Sequence, residues 1–277
     1  RYLVGPELTR PGIAESCALH PPNVSRTMRD LLKKNLVSEH TRNIKGDERR
    51  QKTWQLTDEG RDKIQSIKKK LSGIKVSGKT VTVGATTKHV EVAESKDVKK
   101  AIPALAKLAG NIGDAQVRNR GTIGGSISNN DPSACYPSAC MALNAVIHTN
   151  KRKIEAEKFF TGMFETALKS GELVEAVEFE IPEKADYQKH PNPASRYAII
   201  GVFVAKHKKD VNVAVTGAKS CVYIDKDLSK KLSSNFSVSA IEGTEVKSSG
   251  MNSDMHASAE YRANLVSLYA KKAVEAC

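Results

Sequence analysis

The sequence predicts an α+β protein made of three consecutive units. Residues 1–70 show the order helix, helix, two strands, helix, in a strongly basic stretch. From residue 73 the composition shifts to alternating β-branched residues, and short helical segments then flank a glycine-rich stretch at residues 121–126. Further strand-like segments and one long helical segment complete the chain. The expected domains are residues 1–72, 73–155 and 156–277.

Composition favours a soluble globular protein. The chain has 277 residues, of which 39% are hydrophobic and 27% charged, enough for two or three domains with a sizeable core. It contains no apolar run long enough to span a bilayer, and its start lacks the features of a signal peptide. A cytoplasmic protein without a membrane span is therefore expected. The chain begins at Arg1 and not at a methionine, which leaves open that it is a fragment.

Cysteine and histidine spacing gives no metal site. The five cysteines form no Cys-x-x-Cys pair, so zinc and iron–sulfur ligation are not expected. The seven histidines show no metal-ligand spacing, and none accompanies a convincing nucleophile. His190 and His256 are interpreted as structural residues, and no catalytic acid–base residue is assigned.

The first 70 residues begin with two candidate helices. Thr9 is a possible N-cap for a helix over residues 10–18, and the proline pair that follows separates this helix from a second one at about residues 22–35. The apolar residues of the second helix recur on one face: Val24, Met28, Leu31 and Leu32.

A hairpin and a third helix follow. Strands are expected at residues 37–42 and 52–56, joined by a turn at 45–47, and Thr57 is a good N-cap for a helix that ends at residue 70. This order, with the Leu-Thr-Asp-Glu-Gly stretch at residues 56–60, resembles MarR-type and archaeal winged-helix regulators.

The winged-helix resemblance implies that the second helix enters the major groove of duplex DNA. Residues 1–70 hold 16 basic against 9 acidic residues, a net charge of +7, which favours a polyanionic partner. A winged helix that contacts only proteins is the alternative. The residues expected to reach phosphates or base edges are Asn23, Ser25, Arg26 and Arg29, with Arg49 and Arg50 near the wing tip.

The glycine-rich stretch is the strongest local signal. Gly121, Gly124 and Gly125 surround Thr122 and Ile123, and glycine permits close approach of a ligand to main-chain N–H groups. Two arginines lie just before it, which favours a phosphate or pyrophosphate as the ligand. A glycine-rich hairpin turn is the alternative interpretation.

Several motifs in order carry a second resemblance. Residues 116–126 read Gln-Val-Arg-Asn-Arg-Gly-Thr-Ile-Gly-Gly-Ser and are followed by Asn-Asp-Pro at 130–132; further matches occur at residues 190–198, 210–218 and 250–262. Over about residues 73–277 the sequence resembles the FAD-binding medium subunits of molybdenum hydroxylases, such as carbon monoxide dehydrogenase and the xanthine dehydrogenase family. The resemblance implies a PCMH-type mixed α/β FAD-binding subdomain followed by the α+β C-terminal domain of the carbon monoxide dehydrogenase flavoproteins.

This resemblance also implies a function. A molybdenum-containing large subunit oxidises the substrate, an iron–sulfur small subunit passes on the electrons, and FAD hands them to an acceptor. Residues expected to line the FAD diphosphate are Thr122, Ile123, Gly124, Gly125 and Ser126. Arg118 is expected to support that loop, Asn130 and Asp131 to bind hydroxyl groups, and Tyr197 to lie beside the isoalloxazine ring. Surface charge for Arg118 and a core position for Tyr197 are the alternatives.

The sequence departs from this family at two places. Relatives carry a second glycine-rich FAD loop before the equivalent of residue 73, and residues 1–72 contain none, so weakened FAD binding is expected. Relatives also carry an acid near the position of Cys135.

Residues 73–80 match the nucleotide-binding pattern Gly-x4-Gly-Lys-Thr. A lysine-rich helix precedes this stretch and alternating β-branched residues follow it, so nucleotide hydrolysis is not expected. Three functions stay open: a flavoprotein subunit, a winged-helix regulator whose C-terminal part is a sensor or oligomerisation module, and a folded fusion with neither activity.

Overall fold

A computed structural model of the chain describes residues 8–9, 21–42 and 51–277. The chain divides into two compact units, Arg1–Lys70 and Leu71–Cys277. No helix in these described ranges is long and apolar enough to cross a membrane. The three domain ranges derived from the sequence stay a prediction.

The first unit combines two helices with a small antiparallel sheet. Its elements are β1 (Leu8–Thr9), α1 (Pro21–Lys33), β2 (Val37–Arg42), β3 (Gln51–Leu56) and α2 (Asp58–Lys70). The strand order is β1-β3-β2. Val24 and Met28 of α1 are buried against Trp54 of β3, so the apolar face that the spacing predicts for this helix is confirmed. The Thr57 side chain accepts a hydrogen bond from the Gly60 N–H at 3.0 Å, as expected of an N-cap.

One expectation for this unit is wrong, and others concern residues outside the described ranges. Thr9, expected to cap a helix, lies in β1 instead, because its backbone pairs with Thr53 of β3. The helix at 10–18 and the turn at 45–47, with Arg49 and Arg50, lie outside the described residues.

The second unit begins with a five-stranded sheet that carries helices on its connections. The strand order is β4-β5-β10-β6-β7, and each neighbouring pair is antiparallel. The strands are β4 (Ile74–Ser77), β5 (Thr80–Gly84), β6 (Val146–Thr149), β7 (Lys153–Glu155) and β10 (Val174–Glu180). The nucleotide-binding pattern at 73–80 is thus a β-hairpin, with Gly78 at φ 57° in its turn, and no helix follows it.

Helices fill the connections of this sheet. They are α3 (His89–Glu94), α4 (Lys96–Ala101), α5 (Pro103–Gly110), α6 (Ala115–Arg120), α7 (Ile123–Asn129), α8 (Tyr136–Ala142) and α9 (Ala156–Phe159). Pro103 is the first residue of α5, where its missing N–H costs no helical hydrogen bond, and α4 ends just before it at Ala101. The two-stranded hairpin β8 (Phe160–Gly162) and β9 (Glu165–Thr166) lies between α9 and β10.

A second sheet forms the C-terminal part. Its order is β11-β12-β13-β14, all antiparallel, over Lys184–Pro191, Ala198–Lys206, Val211–Thr216 and Tyr223–Ile224. Helices α10 (Lys226–Ser234), α11 (Val238–Ile241) and α12 (Ala259–Glu275) contribute residues to the same core. Eight of the nine residues of β12 are buried, because one face packs on the helices of the first sheet and the other on α12.

We predict that Gly60→Ala destabilises the first unit by about 1–3 kcal/mol. A Cβ atom at this position would lie 2.0 Å from the backbone oxygen of Leu36, so α2 would have to move. Trp54 is the only tryptophan of the chain and is buried in this unit, so denaturant unfolding followed by its fluorescence isolates the effect. The exposed substitution Lys63→Ala on the same helix is the control. Equal midpoints for both variants would contradict the prediction.

Candidate functional site

The glycine-rich stretch starts the helix α7. Thr122 is the N-cap, and its side chain accepts a hydrogen bond from the Gly125 N–H at 3.2 Å. The N–H of Ile123 donates to the oxygen of Thr87 at 3.1 Å, and that of Gly124 donates to the oxygen of Ala85 at 2.9 Å. The glycine-rich stretch therefore forms a helix start, and the alternative of a hairpin turn is wrong. The first two N–H groups of the helix donate to backbone oxygens of the segment that follows β5.

The two adjacent glycines serve different purposes. A Cβ atom on Gly124 would lie 2.6 Å from the Cβ of Ala85, so Gly124 is required for packing of α7 against the end of β5. Gly125 is exposed, and a Cβ there would meet only the Thr122 hydroxyl, at 3.1 Å. Ile123 is fully buried in the core. Of these three residues, only Gly125 presents an open surface to a ligand, which corrects the expectation for the other two.

Arg118 supports the segment before the loop. Its Nη1 donates to the backbone oxygens of Ile112 at 3.1 Å and Gly113 at 2.9 Å. These bonds hold the turn that leads into α6, which ends at Arg120 with Gly121 as its C-cap. The Arg118 side chain therefore supports this turn, and its expected support of the FAD loop stays a prediction.

Asn130 clamps a hairpin. It caps α7 in the left-handed conformation, with φ 44°, and is buried. Its Nδ2 donates to the backbone oxygens of Gly162 at 2.8 Å and Glu165 at 2.7 Å, and its backbone oxygen accepts from the Phe164 N–H at 3.1 Å. The amide donor is therefore used within the protein, and the expected bond from Asn130 to ligand hydroxyl groups stays a prediction.

A cleft of about 240 Å³ lies beyond the C-terminal end of α7. Two of the predicted site residues, Asp131 and Tyr197, meet there, whereas residues 122–126 are not among its described lining. Tyr197 is 54% exposed, so the alternative of a core tyrosine is wrong. The lining residues are Asp131, Ser133, Asn192, Ser195, Tyr197, Ala198, Ile199, Asp254, His256 and Arg262.

A buried arginine builds one wall of this cleft. Arg262 is 4% exposed, and its Nη1 donates to the oxygens of Ile199 at 2.7 Å and Gly217 at 3.0 Å. Its Nη2 donates to Asp254 at 2.6 Å. Burial by itself would raise the pKa of Asp254, but hydrogen bonds from the N–H groups of His256 and Ala257, together with Arg262, hold that pKa below its usual value.

The cleft is also tied to the end of α7. The Gly217 N–H donates to the oxygen of Pro132 at 2.8 Å, and the Thr216 hydroxyl donates to the same oxygen at 2.8 Å. Arg262 therefore reaches the loop that carries Asp131 through Gly217. Cys135 is not among the cleft residues; the Lys189 Nζ lies 3.6 Å from its sulfur.

Sequence reasoning missed Arg262, Asn192 and His256. Each lies in a segment that the resemblance includes, but a single residue in a loop or helix carries no periodic or spacing signal. No group of three or more histidine, cysteine or acidic side chains within the described ranges could hold a metal ion.

A family model described as the FAD binding domain in molybdopterin dehydrogenase matches residues 22–184, more than half of the chain. The chain belongs to this family. The match begins inside the first compact unit and ends at the start of β11. FAD is therefore the cofactor, and the chain is an oxidoreductase subunit.

Curated relatives agree with this assignment. The chain is 32% identical to the glyceraldehyde dehydrogenase medium chain of Sulfolobus acidocaldarius, over 73% of this chain and 78% of the relative. It is 30% identical to the nicotine 6-hydroxylase medium subunit of Paenarthrobacter nicotinovorans, over 71% and 74%. It is 29% identical to the carbon monoxide dehydrogenase medium chain of Hydrogenophaga pseudoflava, over 74% and 77%.

Solved structures share the fold. Quinoline 2-oxidoreductase from Pseudomonas putida 86 superposes with a TM-score of 0.66 at 23% identity, covering 75% of this chain and 78% of the other. Carbon monoxide dehydrogenase from Hydrogenophaga pseudoflava gives a TM-score of 0.63 at 25% identity, covering 75% and 78%. The mixed α+β fold of the flavoprotein subunits is thus shared.

The residues present fit FAD at both ends of α7. At its start, Gly125 leaves open the space that a Cβ would fill, beside the half-buried Ser126. Beyond its end, the exposed ring of Tyr197 and the carboxylate of Asp131 line one cleft. A glycine at a helix start suits a phosphate, and an exposed aromatic ring suits a planar ring system.

His89 lies behind the loop in an apolar setting. It is 4% exposed, its ring centroid lies 5.3 Å from that of Tyr136, and its backbone N–H donates to the Gly121 backbone oxygen at 3.1 Å. The His89 Nδ1 and the Tyr136 hydroxyl have no hydrogen-bond partner among the described residues. Burial lowers the pKa of His89 to about 4, so the folded protein holds this ring neutral.

We predict that His89 makes the folded state acid-sensitive. An unfolded histidine titrates at about 6.5, so the stability is complete above that pH and falls as the pH drops towards 4, by about 1.4 kcal/mol per pH unit. Between pH 7 and pH 5 the wild type should lose roughly 2 kcal/mol more than His89→Gln. Urea unfolding at the two pH values measures this difference. His256→Gln, at an exposed histidine, is the control, and identical losses in the wild type and His89→Gln would refute the prediction.

Proposed function

We propose that the chain is the medium, FAD-carrying subunit of a molybdenum hydroxylase complex of the carbon monoxide dehydrogenase kind. In this complex a molybdenum-containing large subunit and an iron–sulfur small subunit are its partners, and electrons leave through FAD to an acceptor. The observation that supports it best is the cleft in which Asp131 meets the exposed ring of Tyr197, one helix length from Gly125.

The two ends of α7 suggest how the cofactor lies. The helix spans seven residues, which corresponds to about 10 Å. Under the proposal the diphosphate contacts Thr122, Gly125 and Ser126 at the helix start, and the isoalloxazine ring lies against Tyr197. FAD supplies the electron transfer, and the residues of the chain bind and orient it. Asp131 is positioned to accept hydrogen bonds from hydroxyl groups between the two ends.

The proposal also includes a weakened affinity of this chain for FAD. A second glycine-rich loop is expected in this family, and none is found in residues 1–72 of the sequence. FAD affinity would then depend on α7 and the cleft, and would be sensitive to single changes there.

We predict that Gly125→Val raises the dissociation constant for FAD at least tenfold and leaves the melting temperature nearly unchanged. The valine side chain would occupy the open space where the phosphate approaches. Gly124→Ala is the matched comparison, because its Cβ would clash with Ala85 and lower the stability by about 1–3 kcal/mol. Flavin fluorescence titration and thermal unfolding separate the two effects. An unchanged FAD affinity in Gly125→Val would remove this loop from the site.

A second function is proposed for the first unit, as a winged helix that binds duplex DNA. Arg26 and Arg29 are exposed on α1, on the side away from the buried Val24 and Met28. Ser25 lies between these faces and is half-buried, and its backbone oxygen accepts a hydrogen bond from the Arg29 Nε at 3.3 Å. The side chain of Asn23 lies outside the described residues. A regulator with the second unit as a sensor or oligomerisation module is the corresponding alternative function.

We predict that the full chain binds mixed-sequence duplex DNA with an affinity that falls steeply with salt, since phosphate contacts release counterions. Arg26→Ala and Arg29→Ala should weaken binding more than Lys63→Ala, which removes an equal charge from the exposed surface of α2. Fluorescence anisotropy over a salt series measures this. No binding at low salt would leave the unit as a protein-contact module, and no FAD binding in addition would favour a fusion with neither activity.

A further inference from the structure

His256 lies in the cleft on a rigid support. It lines the same cleft as Tyr197 and Asp131. Its backbone N–H donates to Asp254 Oδ1 at 2.9 Å, while Asp254 Oδ2 accepts from the buried Arg262 at 2.6 Å. The backbone that carries the imidazole is therefore held by a charge pair whose arginine is buried, although the His256 side chain itself is exposed.

The neighbouring amide has only one possible orientation. Asn192 Oδ1 accepts hydrogen bonds from the N–H groups of Ala194 at 2.9 Å and Ser195 at 3.1 Å. An amide nitrogen cannot accept these bonds, so the oxygen must face the backbone and the Nδ2 must face outward. This Nδ2 lies 3.3 Å from the His256 Nδ1.

The orientation of the amide determines where the imidazole carries its proton. An amide nitrogen only donates, so the His256 Nδ1 must be the acceptor in this pair. A neutral imidazole has one N–H and one acceptor nitrogen. The proton of neutral His256 therefore resides on Nε2, the ring nitrogen not used by Asn192.

We propose that His256 binds the flavin ring by donating a hydrogen bond from its Nε2–H to an acceptor atom of that ring, and that Asn192 is the positioning residue that keeps the proton on Nε2. This inference rests on the proposed function. The other charged or titratable groups lining the cleft are Asp131, Asp254, Arg262 and Tyr197. Asp254 and Arg262 form an ion pair, which leaves the Nε2–H of His256 as a hydrogen-bond donor beside Asp131 and Tyr197.

The proposal predicts an effect on reduction as well as on binding. Reduction places additional electron density on the flavin ring, and a hydrogen bond to a charged acceptor is stronger than one to a neutral acceptor. Loss of the Nε2–H should therefore weaken the binding of reduced FAD about tenfold more than that of oxidised FAD. For a two-electron couple this tenfold change corresponds to a reduction potential about 30 mV lower.

Four variants of the full chain test this inference at pH 9, where histidine is ordinarily neutral. His256→Leu removes the imidazole. In Asn192→Asp the carboxylate can only accept a hydrogen bond, which favours the Nδ1–H form of His256. In both variants oxidised FAD should bind about fivefold more weakly and the reduction potential should fall. His256→Gln retains an N–H donor and should stay within twofold of the wild type. Met255→Leu, an exposed neighbour outside the cleft lining, is the matched control.

Nitrogen NMR provides a measurement that does not depend on bound FAD. The wild type should show His256 protonated on Nε2, and Asn192→Asp should shift the proton to Nδ1. An Nδ1-protonated wild type, or unchanged FAD affinity and potential in Asn192→Asp, would overturn the inference. If the wild type binds no FAD, both the proposed function and the inference that His256 binds the flavin ring are contradicted.

Discussion

The buried guanidinium of Arg262 is the contact on which the cleft depends. A charge that is 4% exposed requires hydrogen-bond acceptors, and here two backbone oxygens and one carboxylate accept from its Nη1 and Nη2, while its Nε has no partner among the described residues. The oxygens belong to the start of β12 and to the residue after β13, and the carboxylate belongs to the loop before α12. One side chain thus fixes three segments that are distant in sequence. Tyr197 precedes the first of these segments, and His256 follows the third.

The same network explains how the two ends of α7 are coupled to the rest of the unit. At its start, Ile123 and Gly124 bond to the segment after β5, so the helix cannot shift without breaking backbone bonds. At its end, Asn130 holds the β8–β9 hairpin, and the next residues bond to Gly217 and Thr216. Under the proposed function, a flavin bound along this helix would meet a rigid surface. The residues of the chain would then bind and orient the cofactor, which performs the redox chemistry.

Local patterns in the sequence predicted much of the fold but less of the site. The buried face of α1, the hairpin of β2 and β3, and the Thr57 cap of α2 each depend on neighbouring residues, so a short window of sequence contains the necessary information. Gly124 and Gly125 differ in role because only Gly124 packs against Ala85. The hydrogen bonds of the Asn130 side chain depend on residues more than thirty positions away in the sequence. Arg262 and His256 acquire their surroundings only through the second sheet. Such contacts carry no periodic signal, so the sequence could suggest Asp131 and Tyr197 only by resemblance.

Two glycine-rich stretches in this chain show why the element that follows a motif decides its role. Residues 73–80 match a phosphate-binding sequence pattern at every defined position. The residues that follow are β-branched and pair with β10, so this stretch forms a hairpin and not a phosphate loop. Residues 121–126 match no such pattern, but Thr122 caps a helix and leaves Gly125 exposed at its start. A hairpin directs its N–H groups across the strand pair, whereas the start of α7 directs the N–H groups of Ile123, Gly124 and Gly125 to acceptors within the protein. What the second stretch offers a ligand is therefore the exposed surface at Gly125 and not a set of free N–H groups, so the element that follows each motif decides what its glycines do.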